Sequence, residues 1–286
     1  MDDPVRPPHL GGSTRTVGIM GWPVAHSLSP AIHNAAFRAL ELDWIYIPLP
    51  VEPAGVPSAL EGIRALGFAG ANVTMPHKAA AAAGMDASSE DAQRLGAVNT
   101  IVVEGSSLLG HNTDAPGFDR FLRRDAGFDP AGRSALLFGA GGAARACALA
   151  LARAGASSIT VAAREPARVD GVRAAVDGFP IQVHAVAFAG ATGVDADLIV
   201  NATPVGREEE SLPLPQIHPG MVVVDLLYQP AVTPLTTAAR AGGAATFGGI
   251  GLLLHQAALS FELWTGRQPP LDVMSAAASA GLIQRG

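Results

Sequence analysis

Between residues 135 and 154 the chain passes from a short apolar run, ALLF, through Gly139-Ala140-Gly141-Gly142-Ala143-Ala144 into an alanine-rich stretch. The glycines fit G-x-G-x-x-G/A, with Ala144 in the third place, and they leave a predicted strand to open a predicted helix. In that context Gly139 permits the tight turn and Gly141 lets the backbone approach a pyrophosphate, while Ala144 allows close helix–strand packing. Free N–H groups and the helix dipole then make an anion site for a dinucleotide. The next predicted strand ends in Ala163-Arg164-Glu165-Pro166-Ala167-Arg168, the place where a nucleotide-binding βαβ unit reads the ribose. Arginines there suit a 2′-phosphate and an acid suits a free 2′-hydroxyl. Arg164 and Arg168 therefore favour NADP, and Glu165 keeps NAD possible.

Strand and helix alternate along the whole chain, which predicts an α/β fold with a mainly parallel sheet and right-handed crossovers. A length of 286 residues suggests about two domains. In the first series, strands are predicted at 17–20, 44–49 and 71–74. Helices are predicted at 30–40 and over Val56, Leu60, Ile63 and Leu66, and a further helix from Pro76 to Gly84. Ser29 followed by Pro30 reads as an N-cap with a first-turn proline. Residues 101–103 and 108–110 form a hairpin. The second series has strands at 135–138, 159–163, 181–186, 198–202, 221–226 and 245–247, with helices at 143–154, 166–176 and 234–241. Helices at 252–264 and 273–283 close the chain. A polar turn at 112–117 marks the boundary, and Asp114 there is a candidate cap for a helix at 116–124. The domains are expected at 1–113, with 249–286 returning to it, and at 114–248.

Composition narrows the function classes. Hydrophobic residues make up 49% and charged residues 15%, which allows sizeable cores and excludes a disordered chain. A net charge of −6 offers no general attraction for nucleic acid or anionic membrane. Cys147 is the single cysteine and reads as an inert thiol on an apolar helix face. Nothing then requires an oxidising compartment. The histidines show no metal-site spacing, so no metal is expected. The stretch from Ala241 to Phe261 lacks formal charge, but its glycines, His255 and Gln256 argue against a membrane span. Residues 1–14 show no apolar export segment and read as a loose tail, so a cytoplasmic location is expected.

Several polar groups lack a purely local explanation. Ser27 and Ser29 stand together at a predicted helix start and suit a substrate carboxylate. Lys78 falls in a first helical turn, where a cation opposes the dipole. Asp114 places a carboxylate at the domain boundary. Asn99 precedes a strand and is also a candidate turn residue.

Taken in series, these motifs resemble the shikimate dehydrogenase family over nearly the whole chain. They are SLSP at 27–30, NVTMPHK at 72–78, GAVNT at 96–100, NTDA at 112–115 and GAGGAARA at 139–146. NATPVG at 201–206, DLLYQPAVTPL at 225–235 and GGIGLLLHQA at 248–257 complete the set. The resemblance implies an N-terminal α/β substrate domain, to which the last helices return, and an inserted Rossmann-like dinucleotide domain. It implies reversible NADP-dependent reduction of 3-dehydroshikimate to shikimate, a step of aromatic amino acid biosynthesis. It also implies that Lys78 and Asp114 form the catalytic pair and that Ser27, Ser29, Thr74, Asn99, Tyr228 and Gln256 contact the substrate. Asn72 would support them. Cofactor contacts would come from Gly139, Ala140, Gly141, Gly142, Ala143, Arg164, Arg168, Thr203 and Gly249.

The sequence departs from the family pattern at Ala163-Arg164-Glu165, at Leu252 and at His77. Relatives acting on quinate or on amino analogues of shikimate share most of these positions. A quinate/shikimate or aminoshikimate dehydrogenase with relaxed or NAD preference is therefore an alternative. A non-catalytic dinucleotide-binding sensor is another, disfavoured by the retained Lys78 and Asp114. The oligomeric state is not legible.

Overall fold

The computed structural model describes residues 10–208 and 210–283, so residues 1–9 of the expected tail lie outside it. The chain forms two compact units, one built from residues up to 113 and from 257 onward, the other from residues 114–256.

The first unit starts with β1 (Arg15–Gly21), α1 (Ser29–Ala39), β2 (Trp44–Pro50), α2 (Val56–Ala65) and β3 (Gly70–Val73). Then come α3 (Lys78–Ala82), β4 (Ala87–Ser88), α4 (Glu90–Leu95), β5 (Thr100–Glu104) and β6 (Ser107–His111). The strands form one sheet in the order β2-β1-β3-β5-β6-β4. β1 runs parallel to β2 and β3, whereas β5 is antiparallel to both β3 and β6, so this sheet is mixed. Residues 17–21 of β1 are all buried, as expected of a strand covered on both faces. Val56, Leu60 and Ile63 of α2 join Met20, Val73, Val98 and Ile101 in one core. Leu66, expected on that apolar face, caps the helix and is 76% exposed.

Other local expectations are corrected here. The N-cap of α1 is Leu28, and Ser29 is already helical. Ser27 takes the local capping role instead, its Oγ accepting the Ser29 N–H at 3.2 Å. Pro76 lies in the turn before α3, which begins at Lys78 and has only 5 residues. A helix that short carries little dipole, which removes most of the penalty inferred for Lys78. β4 and α4 were not expected. α4 is too brief to show a period, although Ser89 caps it and Glu90 and Asp91 occupy its first turn.

The second unit contains α5 (Asp114–Arg124), β7 (Ser134–Phe138), α6 (Gly142–Arg153), β8 (Ser158–Ala163) and α7 (Asp170–Ala175). It continues with β9 (Gln182–Ala187), β10 (Leu198–Asn201), β11 (Val222–Asp225), α8 (Pro234–Ala241) and β12 (Ala245–Phe247). The sheet order is β12-β11-β10-β7-β8-β9, and every pairing is parallel. This is the doubly wound Rossmann order, which reverses between β7 and β10. Asp114 is the first residue of α5 rather than a cap outside it. The helix expected at 166–176 is a 3-10 turn, Pro166–Val169, followed by α7.

Two helices end the chain, α9 (Ile250–Thr265) and α10 (Leu271–Ile283). The return to the first unit was expected from residue 249, yet residues 249–256 belong with the second. The reason is packing on α5. The Gln256 backbone lies against Gly117, and His255 Nε2 sits 3.0 Å from Asp125 Oδ1. Further along, Phe261 and Trp264 pack with Phe37 and His33 of α1. Among the described residues no helix is long and apolar enough to cross a membrane.

Candidate functional site

In the first unit the polar residues gather at the ends of β3 and β5. Asn72 is buried on β3, and its Nδ2 lies 3.0 Å from Asn99 O, Thr100 Oγ1 and Ser260 Oγ. Its Oδ1 accepts the Tyr46 hydroxyl at 2.8 Å. Burial pushes the Tyr46 phenol up, and a hydrogen bond from Ser29 opposes that shift. Ser29 is thereby linked to Asn72 through Tyr46. Asn72, expected as a support, is thus tied to Tyr46, Thr100 and Ser260, and Thr113 bonds Asn99; the sequence reading singled out none of these four partners. Thr100 and Thr113 lie inside the motifs GAVNT and NTDA, which was the one signal that pointed to them.

Asn99 is 2% exposed. Its Oδ1 accepts the Thr113 N–H at 2.8 Å and the Thr100 hydroxyl at 3.0 Å. Its Nδ2 donates to Thr113 Oγ1 at 3.0 Å. One residue earlier, the Val98 N–H donates to the Lys78 carbonyl at 2.9 Å. The pair Val98-Asn99 therefore anchors the backbone of Lys78 on one side and Thr113, the residue before Asp114, on the other. Thr74 begins the turn that leads to α3, with its carbonyl accepting the His77 N–H at 2.9 Å. His77 is buried, and its Nε2 lies 2.7 Å from Val51 O. Ser27 is a half-buried residue before α1.

In the second unit the glycine turn follows β7. Gly139 adopts φ +103°, a conformation that favours glycine. A Cβ there would lie 2.9 Å from Thr203 Cγ2 and 3.0 Å from Ala202 O. The turns after β7 and β10 thus touch where the strand order reverses, the crevice in which open α/β sheets bind ligands. Gly141 is the N-cap of α6 and gives no side-chain cap. Gly141, Gly142 and Ala143 are exposed, Ala140 is half-buried, and a Cβ at Gly141 or Gly142 would meet nothing within 4 Å. A helix start of 12 residues with uncapped N–H groups and open space before it fits a dinucleotide phosphate.

A buried network shapes the rest of that edge. Asn201 Nδ2 donates to Asp225 Oδ1 at 3.0 Å and to Val205 O at 2.9 Å. Thr233 donates to Asp225 Oδ2 at 2.7 Å, and Leu227 N–H to Oδ1 at 3.1 Å. Burial raises the Asp225 carboxyl, and Thr233, Leu227 and Asn201 work against that. The Thr203 hydroxyl is engaged with Asn201 Oδ1 at 2.7 Å, so it braces the loop. Tyr228 is half-buried beyond β11. Gly249 rests on the Leu226 and Leu227 backbone and donates its N–H to Leu227 O at 3.1 Å. Gln256 Nε2 donates to Leu253 O at 2.9 Å. Asn201, Asp225 and Thr233 were not singled out, although NATPVG and DLLYQPAVTPL contain them.

At the end of β8, Arg164, Glu165 and Arg168 are all exposed. Arg168 pairs with Glu165, Nε to Oε2 and Nη2 to Oε1, each at 3.2 Å. Cys147 is buried on α6, where burial and then the Asp114 charge push its thiol up. Among the described residues no group of three or more His, Cys, Asp or Glu is placed to hold a metal ion.

Comparison with known proteins matches this arrangement to a family. The family model described as "Shikimate dehydrogenase substrate binding domain" covers residues 19–101. "Shikimate 5'-dehydrogenase C-terminal domain" covers residues 249–278. The protein of Geobacter metallireducens named shikimate dehydrogenase (NADP(+)) is 44% identical over 282 residues, 96% of this chain and 99% of its own. A solved shikimate 5-dehydrogenase from Thermus thermophilus, in complex with NADP(H) and shikimate, is 39% identical with a TM-score of 0.84. It covers 93% of this chain and 99% of its own. A quinate dehydrogenase from Corynebacterium glutamicum in complex with NAD is 32% identical with a TM-score of 0.85, again over 93% and 99%.

Proposed function

Because this chain belongs to the shikimate dehydrogenase family, we propose that it is an NADP-dependent oxidoreductase interconverting 3-dehydroshikimate and shikimate at a CH–OH group. The observation that carries the catalytic reading is the Val98-Asn99 anchor. It holds Lys78 by its carbonyl and Thr113 by its amide, with Asp114 next in the chain.

A nicotinamide dinucleotide held at the β7–α6 turn would supply or accept the hydride. The chain's own residues manage charge and proton at the reacting oxygen. The Lys78 ammonium stabilises the negative charge that develops there and is a proton donor. The Asp114 carboxylate is an acceptor for the proton of the substrate hydroxyl. Asn99, held on both faces of its amide, presents a fixed group to a substrate hydroxyl. Ser27 and Ser29 suit the substrate carboxylate, and Thr74, Tyr228 and Gln256 complete the substrate contacts. Gly139, Ala140, Gly141, Gly142 and Ala143 suit the pyrophosphate, with Thr203 and Gly249 shaping the loops beside it. Arg164 suits a 2′-phosphate. The proposed setting is the cytoplasm, since the lone Cys147 asks for no oxidising compartment.

A second reading, use of NAD by a quinate/shikimate-type relative, is supported on the nucleotide side by Glu165, an acid paired with Arg168 in the stretch that would read the ribose. A kinetic matrix decides between them. Purified protein is assayed for kcat/KM on shikimate and quinate, each with NADP and NAD, by following the reduced nicotinamide. The shikimate-plus-NADP cell is expected to dominate, and a larger quinate or NAD value would overturn that choice.

A further inference from the structure

Three charged side chains follow β8, and one of them opposes the other two. Arg164 and Glu165 come directly after the strand, and the 3-10 turn Pro166–Val169 brings Arg168 back beside Glu165. Both carboxylate oxygens of Glu165 meet the Arg168 guanidinium, at Nε and at Nη2. That planar edge is the part of an arginine that grips a phosphate through two parallel hydrogen bonds. No acid pairs with Arg164 among the described residues. The cluster thus offers one unpaired cation and one cation whose preferred edge is already taken.

The pair is exposed, 70% for Arg168 and 66% for Glu165, so it is weak and open to exchange. It competes with a ligand rather than blocking one. A dinucleotide carrying a 2′-phosphate must displace Glu165 from Arg168 and tolerate its charge nearby. A dinucleotide with a free 2′-hydroxyl loses nothing and gains an acceptor.

We infer that Glu165 sets the balance between NADP and NAD in this protein, by holding the guanidinium edge of Arg168 that a 2′-phosphate requires. The inference rests on the dinucleotide reading of the β7–α6 turn proposed above. It assigns to Glu165 the role of a specificity residue acting through Arg168.

Equilibrium binding tests it without turnover. NADP+ and NAD+ are titrated calorimetrically into the full-length wild type, Glu165→Gln and the double variant Glu165→Gln/Arg168→Ala, at several salt concentrations. Glu165→Gln is expected to tighten NADP+ about tenfold through the freed charge-assisted contact while NAD+ stays within about threefold. Its NADP+ affinity should also fall more steeply with salt, because one more cation is engaged. The double variant should lose the gain. An unchanged NADP+/NAD+ ratio in Glu165→Gln, or a gain that survives removal of Arg168, overturns the inference alone. A wild type that binds neither dinucleotide overturns the underlying site assignment as well.

Discussion

Asn99 holds Thr113 through both ends of its side-chain amide, with Oδ1 accepting the Thr113 N–H at 2.8 Å and Nδ2 donating to Thr113 Oγ1 at 3.0 Å. Both residues are buried, so the geometry is protected from water. The residue next in the chain is Asp114. Substituting Asn99 by Ala strands the buried Thr113 N–H, at about 1–3 kcal/mol for a group left unsatisfied, while the Thr100 hydroxyl keeps Ser260 Oγ at 2.8 Å. We expect Asn99→Ala to lower the urea midpoint accordingly and to reduce kcat/KM for shikimate. A variant with wild-type kinetics would detach Asn99 from the substrate.

Lys78 poses a different case, because its backbone is anchored independently of its side chain. Val98 N–H binds the Lys78 carbonyl, and that bond survives substitution. Lys78→Ala should therefore leave the unfolding midpoint nearly unchanged. Turnover is expected to fall by about 10²–10⁴, the usual contribution of a positioned acid–base group. The check is steady-state kinetics beside a thermal melt. Near-wild-type turnover would remove Lys78 from the mechanism.

Gly117 has no room for a side chain. A Cβ there would lie 2.9 Å from Gln256 N and 3.0 Å from its Cα, and backbone atoms cannot swing away as a side-chain tip can. Gly117→Ala should cost about 1–3 kcal/mol of stability, as overpacking does. Because Gln256 is a proposed substrate contact, KM for shikimate should rise while the NADP affinity holds. Equal losses for both ligands would point to general disruption.

His33 supplies the pH prediction. It stacks on Tyr46 at 4.4 Å, and neither ring nitrogen has a hydrogen-bond partner. Burial lowers it from 6.5 to about 3. The unfolded chain therefore binds this proton more readily than the folded one. The neutral ring's contribution is complete above pH 6.5 and is lost progressively as pH falls toward about 3. The slope approaches about 1.4 kcal/mol per pH unit inside that window. His33→Phe keeps a stacked ring without the titration, and its stability should decline less over that range in denaturant melts. Parallel profiles would show that another group controls the acid limb.

Much of this protein was legible locally. The strand–glycine–helix step at Phe138 to Ala144 survives in β7, the Gly139 turn and α6 because φ preference and period act within a few residues. The helix expected at 234–241 appears with Pro234 at its first position for the same reason. Short elements such as β4 and α4 escaped, since two or six residues cannot display a period. Ser29 was assigned the cap, and the tertiary link to Tyr46 gave it other work.

The amino-acid sequence by itself determined the alternation of elements, the open glycine turn and the family, because each is written in neighbouring residues. Tertiary structure alone decided which polar groups face each other. Tyr46 meets Asn72, Asn99 meets Thr113, Asn201 meets Asp225, and the Gly117 backbone meets Gln256. These partners lie far apart in the chain and carry no local signal. Buried donors and acceptors must nevertheless be matched, and only the folded packing brings the matching atoms within reach.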